Sequence, residues 1–172
     1  MSQPTSQPTS QPTTTAPNTA PTTPTRPLPT HGSLTLRPRY CECDPMGVVH
    51  HASYIPWLEM GRTELLRDGG LSYAQLEAQG VLLVIVKLDV KYRRPARYDD
   101  LLEVRTKLTG SSRVKLEHSY QIALLRSAAA PMSQPPTTGD DAPVLLVATT
   151  TLACVDRQGV PQALPEWLTE RS

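Results

Sequence analysis

One carboxylate stands just before a pair of histidines, where the chain turns and then enters a helical pattern. Asp44 is followed by Pro45, which fixes a turn, and by Gly47, which tolerates unusual backbone angles. His50 and His51 come next and lead into the helix. A positioned carboxylate can attack an acyl group or activate water, and unpaired N–H groups at a helix start can hold a developing oxyanion. The segment therefore predicts the active site of a thioester hydrolase that works without a metal or redox cofactor.

Each candidate residue also has a structural interpretation. Asp44 is the predicted nucleophile or general base, but Asp-Pro-x-Gly is also a favourable turn sequence. The main-chain N–H near His51 is the predicted donor to the thioester oxygen. The imidazole of His51 can assist water, orient the substrate or cap the helix, and these roles stay open. The predicted substrate contacts in this segment are Gly47, Val48, Val49, His50 and Tyr54.

Other polar residues nearby are weaker candidates. Cys41 and Cys43 with the two histidines form a poor zinc set, because Cys-x-Cys lacks the usual ligand spacing. Alternation along a strand end would place both thiols on one side instead. Glu59 and Glu64 lie on the helix and can act as a second carboxylate, but surface or interface contacts explain them more simply. No metal site is predicted.

A long helical pattern must position this segment. A short first strand is predicted at 34–40, and helical periodicity then runs to Arg67, where Gly69 and Gly70 end it. The buried face of the helix should carry Tyr54, Leu58, Gly61 and Leu65. Gly61 costs about 1 kcal/mol of helix propensity relative to alanine, which close approach to a sheet would explain.

The remainder predicts one antiparallel sheet. A second short helix is expected at 71–79, and four long strand patterns follow at 81–92, 101–108, 114–124 and 144–155. The last is apolar or threonine on both faces, as expected of an interior strand. One helix packed on a single curved sheet is the simplest α+β arrangement for this order.

Composition limits the classes of partner and compartment that are expected for this chain. The chain has 172 residues, with 17 Lys and Arg against 16 Asp and Glu, so no global field favours nucleic acid or an acidic membrane. No apolar run approaches the roughly 20 residues that span a bilayer, and no secretory signal is expected. Three cysteines do not suggest a disulfide framework. The expected compartment is the cytoplasm.

Prolines mark the predicted domain boundaries. Residues 1–31 are rich in Pro, Thr, Ser and Gln and are expected to be a disordered tail, since they have little apolar surface to bury. Residues 32–172 are the predicted domain. Within it, 127–142 has a similar composition and predicts a flexible insertion between two strands.

The segment around Asp44 resembles a known enzyme family. Residues 44–49 read DPMGVV, 51–54 read HASY, and Glu59 is followed by RTE at 62–64. With VKY at 90–92, PAR at 95–97 and DDLLE at 99–103, they resemble the hotdog-fold 4-hydroxybenzoyl-CoA thioesterase family. The closer likeness is to its Tol-Pal-associated acyl-CoA thioesterase branch, over about residues 34–168.

The resemblance implies a hotdog fold, in which a long central helix is wrapped by a five-stranded antiparallel sheet. It also implies an acyl-CoA substrate and a homo-oligomer, a dimer or tetramer, with active sites at subunit interfaces. Asp44 matches the family's catalytic aspartate. His51 matches the residue whose N–H faces the thioester oxygen, and its imidazole matches a histidine of the closer branch. Ser112 and Arg113 match a turn that contacts the nucleotide end of coenzyme A in related enzymes.

Three features depart from the family pattern. His50 stands where an aromatic or apolar residue is usual, Pro56 falls in the first turns of the helix, and 127–142 lengthens a hairpin that is usually tight.

Five basic residues between Lys87 and Arg97 can bind the phosphates of coenzyme A or form a solvated strand face. Two alternatives stay open: a non-catalytic acyl-CoA or acyl-carrier binding module, and an enoyl-CoA hydratase on the same fold.

Overall fold

The computed structural model describes residues 28–169. Most of the predicted tail at 1–31 lies outside the described residues. The strands are β1 (His31–Leu36), β2 (Leu82–Tyr92), β3 (Leu101–Ser111), β4 (Lys115–Arg126) and β5 (Val144–Val155). The α-helices are α1 (Tyr54–Asp68), α2 (Tyr73–Ala78) and α3 (Glu166–Thr169), and 3₁₀ turns occur at Tyr40–Glu42, His51–Ser53 and Gly139–Asp141.

The five strands form one sheet in the order β1-β3-β4-β5-β2, and all neighbours are antiparallel. The four long strands lie within three residues of their predicted bounds, and β5 is an interior strand as its two-sided apolar pattern predicted. The α+β class and the helix-on-sheet arrangement are confirmed. In the described part of the chain, no helix is long and apolar enough to cross a membrane.

The predicted face of α1 is the face that packs on the sheet. Tyr54, Leu58 and Leu65 are each at most 3% exposed. Gly61 lies so close to β3 that an added Cβ would overlap the hydroxyl of Thr106 and would lie 3.2 Å from the Cγ1 of Val104. The low helix propensity of glycine is therefore offset by a closer contact between helix and sheet.

The first strand differs from its prediction. Residues 34–40 were expected to be extended, but pairing with β3 covers His31–Leu36 and stops there. Pro38 follows two residues later and has no N–H to donate to a ladder, so the chain leaves the sheet and makes a 3₁₀ turn that begins at Tyr40. Packing also begins early, because Leu28 is already buried against Gly69 at the end of α1.

The insertion at 127–142 folds back across the end of the sheet where β4 ends and β5 begins. The N–H of Ala128 donates to the buried carboxylate of Asp100 at 2.8 Å. Further along, the guanidinium of Arg105 donates to the carbonyl of Gly139 at 2.6 Å. The flexibility of the insertion at 127–142 stays a prediction.

Candidate active site

A small hairpin presents Asp44 at its tip. The N–H of Asp44 donates to the carbonyl of Val48, and the N–H of Gly47 donates to the carbonyl of Asp44, both at 2.9 Å. Gly47 has φ of 75°, a left-handed angle that favours glycine. Asp44 Oδ1 accepts the Met46 N–H at 2.9 Å. Among the described residues no hydrogen bond is found for Oδ2, so one oxygen shapes the turn and the other has no hydrogen-bond partner there.

The same hairpin leads into the start of α1. Cys43 and Val49 form a β-bridge across it, and the N–H of His50 donates to the carbonyl of Glu42 at 2.8 Å. A 3₁₀ turn at His51–Ser53 then continues directly into α1. His51 is the first residue of this turn, so its N–H has no acceptor within the helix. The aspartate turn and a free helix-start donor are therefore held in one unit.

The two histidines have different positions in this unit. His50 is the residue that caps the turn, because its Nδ1 accepts the N–H of Ala52 at 3.3 Å. The exposed ring of His51 lies against the ring of His50, with 4.1 Å between centroids. Pro56 is the third residue of α1. A backbone N–H at this position has no acceptor within the helix, so the missing N–H of proline costs no helical hydrogen bond.

A buried carboxylate joins the hairpin to the helix, and it was not among the predicted site residues. Glu42 is 7% exposed and accepts hydrogen bonds from the N–H of Arg39 at 2.6 Å, the guanidinium of Arg39 at 2.9 Å and the indole N–H of Trp57 at 3.1 Å. Its carbonyl also accepts the hydroxyl of Ser53 at 3.1 Å. Burial by itself raises the pKa of Glu42, but the bonds from Arg39 and Trp57 outweigh it and hold that pKa below its usual value.

Two tyrosines brace the start of the helix. Tyr54 is buried, and its hydroxyl accepts the N–H of Ala96 at 3.1 Å, so this predicted substrate contact has a structural partner. Burial raises the pKa of Tyr54, which keeps the phenol neutral. Tyr92 donates its hydroxyl to the carbonyl of His51 at 2.9 Å and packs edge to face on Tyr54. From the sequence, Tyr92 was expected only within the strand at 81–92 and the VKY match at 90–92, and this contact was not predicted.

The other predicted contacts divide into two groups. Val48 is half-buried beside Asp44, and Val49 is buried with its N–H bonded to the carbonyl of Ala96 at 2.8 Å. Ser112 and Arg113 lie in the β3–β4 turn, at the opposite end of the sheet from the hairpin. Within one chain the structure does not bring these two residues to Asp44.

The thiols and carboxylates near the site fit structural roles. Burial, followed by the carboxylates of Asp44 and Glu42, raises the pKa of the Cys43 thiol, so it stays protonated near neutral pH. Glu59 pairs with Arg62 at 2.9 Å, and Glu64 pairs with Arg67 on the exposed surface of α1. Within residues 28–169, no group of three or more His, Cys, Asp or Glu is arranged to hold a metal ion.

An open groove lies elsewhere on the described residues. It runs over the face of the sheet that α1 does not cover, and its lining includes Lys91, Arg105, Gln121 and Thr149. None of the predicted site residues lines it. Asp44 instead lies, partly exposed, on the hairpin that leads into α1.

A helix wrapped by a five-stranded antiparallel sheet, with an aspartate turn tied to the helix start, defines a hotdog-fold protein of the thioesterase type. The sequence profile of the thioesterase-like superfamily matches residues 38–171. The chain belongs to this superfamily, and the predicted recognition is confirmed.

Relatives and solved structures agree with this assignment. Acyl-CoA thioester hydrolase YbgC of Escherichia coli O6:H1 is 36% identical over 132 residues, which cover 76% of this chain and 87% of that protein. A DHNA-CoA thioesterase from Staphylococcus aureus superposes with a TM-score of 0.66 at 25% identity, covering 78% of this chain and 80% of that one. A hypothetical protein, TT1821 from Thermus thermophilus, superposes with a TM-score of 0.64 at 30% identity, covering 79% and 90%.

Proposed function

We propose that this protein is an acyl-CoA thioesterase that releases a carboxylic acid and free coenzyme A, with Asp44 as its nucleophile or general base. The observation that carries the proposal is the hairpin itself. It leaves one oxygen of Asp44 without a hydrogen-bond partner among the described residues, while the other accepts the N–H of Met46. The hairpin also ends at a helix start whose first N–H is free to polarise a thioester carbonyl.

The roles of the remaining residues follow from this arrangement. Gly47, Val48 and Val49 form the wall of the hairpin beside the reacting carbon, and the His51 N–H holds the oxyanion. His50 fixes the orientation of that donor by capping the turn. Tyr54 supports the helix start through its bond to Ala96 rather than by touching substrate.

A second copy of the chain is proposed to complete the site. The edge strand β2 exposes a row of large apolar side chains, which is unusual for the free edge of a sheet. They are Val84, Ile85, Val86, Leu88 and Tyr92, each between 39% and 54% exposed. If two such edges pair antiparallel about a two-fold axis, the β2 strands of the two copies run in opposite directions, and the ends of the partner's sheet are reversed relative to the first sheet. That operation would carry the β3–β4 turn of a second copy, with its Ser112 and Arg113, toward the Asp44 end.

The proposed oligomer is a dimer or tetramer, and the proposed compartment is the cytoplasm. Three free cysteines in the described chain suit a reducing environment.

The test is thiol release from a panel of aliphatic and aromatic acyl-CoA thioesters. Wild-type protein should release free thiol from at least one of them, and Asp44→Asn should lose at least about 100-fold in kcat, since a positioned base supplies roughly 10²–10⁴-fold. Asp140→Asn is the matched control, because its side chain is fully exposed on the insertion. That control should keep wild-type activity.

Three outcomes would contradict the proposal. Undiminished hydrolysis by Asp44→Asn would remove Asp44 from the chemistry. Saturable acyl-CoA binding without turnover would favour a binding module. Hydration of an enoyl-CoA with no thiol released would favour a hydratase.

A further inference from the structure

One buried side chain, Asp100, joins the insertion at 127–142 to the candidate active site. Asp100 is only 4% exposed, and carboxylates are seldom buried unless hydrogen bonds satisfy them. Its Oδ1 accepts the N–H of Ala128, the second residue of the insertion, at 2.8 Å. Its Oδ2 accepts the N–H of Arg97 at 2.8 Å. The two oxygens therefore connect the insertion to the loop that follows β2.

The loop that follows β2 holds the Asp44 hairpin from one side. The carbonyl of Ala96 accepts the N–H of Val49 at 2.8 Å. The next residue, Arg97, donates from its Nη1 to the carbonyl of Gly47 at 3.3 Å, close to the tip of the hairpin. The N–H of Gly47 in turn donates to the carbonyl of Asp44 at 2.9 Å. A movement of residues 96–97 is therefore passed directly to the catalytic turn.

The backbone between Arg97 and Asp100 is held in one conformation. The N–H of Asp100 donates to the carbonyl of Arg97 at 3.3 Å, which closes a turn. Asp99 within this turn has φ of 62°, a left-handed angle that is costly outside glycine and persists where surrounding contacts hold it. The guanidinium of Arg37 donates to the carbonyl of Asp99 at 2.6 Å, and the carbonyl of Pro38 accepts the Asp99 N–H at 3.3 Å. Because this turn is held from outside, a shift of the Asp100 carboxylate is transmitted to Arg97 rather than absorbed.

The other end of the connection is anchored to the sheet. Ala128 lies in a turn that is closed by a bond from the N–H of Ala130 to the carbonyl of Ser127 at 3.0 Å. Further along the insertion, the N–H of Thr137 donates to the carbonyl of Leu125 in β4 at 2.7 Å. The position of the insertion is therefore set relative to β4 as well as to Asp100.

We propose that Asp100 is a positioning residue, through which the insertion at 127–142 sets the orientation of the Asp44 hairpin and so the rate of the chemical step. This inference rests on the proposed thioesterase function and adds to it a residue that acts on Asp44 through the loop at 96–97. A carboxylate accepts an N–H on each oxygen, so it fixes both segments at once. An amide accepts on one oxygen only, and its NH₂ group would face the second N–H.

Ala128→Pro removes one donor of this connection with little disturbance elsewhere. Ala128 is the second residue of its turn, a position at which proline is favoured, so the turn should persist. The variant should lower kcat for an acyl-CoA about 10-fold and change KM less than about twofold, since a displacement of about 1 Å can cost up to about 10²-fold in rate. Asp100→Asn should lower kcat at least as much. Asp140→Asn, the same substitution at an exposed position of the insertion, is the control and should match the wild type.

A double-mutant cycle tests whether the insertion acts through Arg97. Arg97→Met removes the bond to the carbonyl of Gly47 and keeps an unbranched side chain at this position. Two changes along one connection are not independent, so the double variant Ala128→Pro, Arg97→Met should lose less kcat than the product of the two single losses. A loss equal to that product would overturn the proposed route.

Hydrogen exchange tests the connection without relying on turnover. The amides of Asp44 and Val49 should exchange faster in Ala128→Pro and in Asp100→Asn than in the wild type, whereas the amide of Thr150 in the interior strand β5 should keep its wild-type rate. If the wild type releases no thiol from any acyl-CoA, the thioesterase function fails, and the exchange rates still decide whether Asp100 positions the hairpin. Unchanged exchange at the hairpin, an undiminished kcat in an active enzyme, or exchange that rises equally in β5 would each overturn the proposal.

Discussion

Glu42→Gln should weaken both folding and catalysis, because this residue joins the Asp44 hairpin to the helix. Oε2 accepts the N–H of Arg39, while Oε1 accepts the indole N–H of Trp57 and the guanidinium of Arg39. An amide has one oxygen, so in either orientation its NH₂ group faces an N–H donor. A buried donor left without an acceptor costs about 1–3 kcal/mol. We expect the free energy of unfolding to fall by about 2 kcal/mol.

The catalytic effect should exceed what lost stability alone produces. The carbonyl of Glu42 accepts both the His50 N–H and the Ser53 hydroxyl, so a shift of this residue moves Asp44 and the oxyanion donor relative to each other. A displacement of about 1 Å can cost up to about 10²-fold in rate. In steady-state assays well below the unfolding temperature, kcat should fall about 10- to 100-fold with KM within about twofold. Trp57→Phe removes one donor and puts a smaller phenyl ring in place of the indole, and it should fall between the wild type and Glu42→Gln.

The pH dependence of stability shows whether Glu42 stabilises the fold through its charge or through its shape. Because the pKa of Glu42 is lowered in the folded protein, the unfolded chain binds its proton more readily, and stability gained from the carboxylate rises with pH. The gain is complete above the unfolded value of about 4.3 and is lost as pH falls through the folded value. Urea unfolding between pH 7 and the most acid pH that keeps the protein folded should show the wild type converging on Glu42→Gln. A difference that stays constant or widens toward acid pH would refute this reasoning.

Two other predictions follow from the packing. Gly61→Ala should lower the free energy of unfolding by about 1–3 kcal/mol in urea titrations, since its Cβ would overlap the Thr106 hydroxyl, and adding Thr106→Ala should recover part of the loss. Full stability of Gly61→Ala would show that the contact between helix and sheet is looser than described. Val86→Lys on the exposed edge of β2 should shift the oligomer toward monomer in light scattering, whereas Val160→Lys, the same change at a similarly exposed position, should not. Equal effects from the two lysines would argue against β2 as the interface.

The sequence predicted the scaffold well because its signals are periodic. Tyr54, Leu58, Gly61 and Leu65 recur at helical spacing, and the face they define is the buried face of α1. Strand alternation likewise identified four long strands. The exception was the first strand, which was predicted at 34–40 although the ladder ends at Leu36, two residues before Pro38. Backbone pairing stops for a reason that hydrophobic periodicity does not register.

The candidate site was only partly predictable. The turn at Asp44 follows from local chemistry, since Asp, Pro and Gly set its backbone angles. Glu42 and Trp57 are 15 residues apart and meet only after the hairpin and helix have packed. Tyr92 reaches the carbonyl of His51 across 41 residues. Such contacts depend on the tertiary arrangement, and the one local hint was the i, i+3 spacing of Arg39 and Glu42.

The exposed edge of β2 has a consequence for how the molecule is made. A newly folded chain carries a long strand with unpaired backbone groups and apolar side chains, which is also a template for unwanted association. The proposed assembly with a second copy would remove that template, and the rate of this assembly would depend on the concentration of folded chains. Yield in the cell and on refolding should then be set by a competition between two bimolecular steps, productive pairing and aggregation. Slow synthesis at low temperature would favour productive pairing over aggregation.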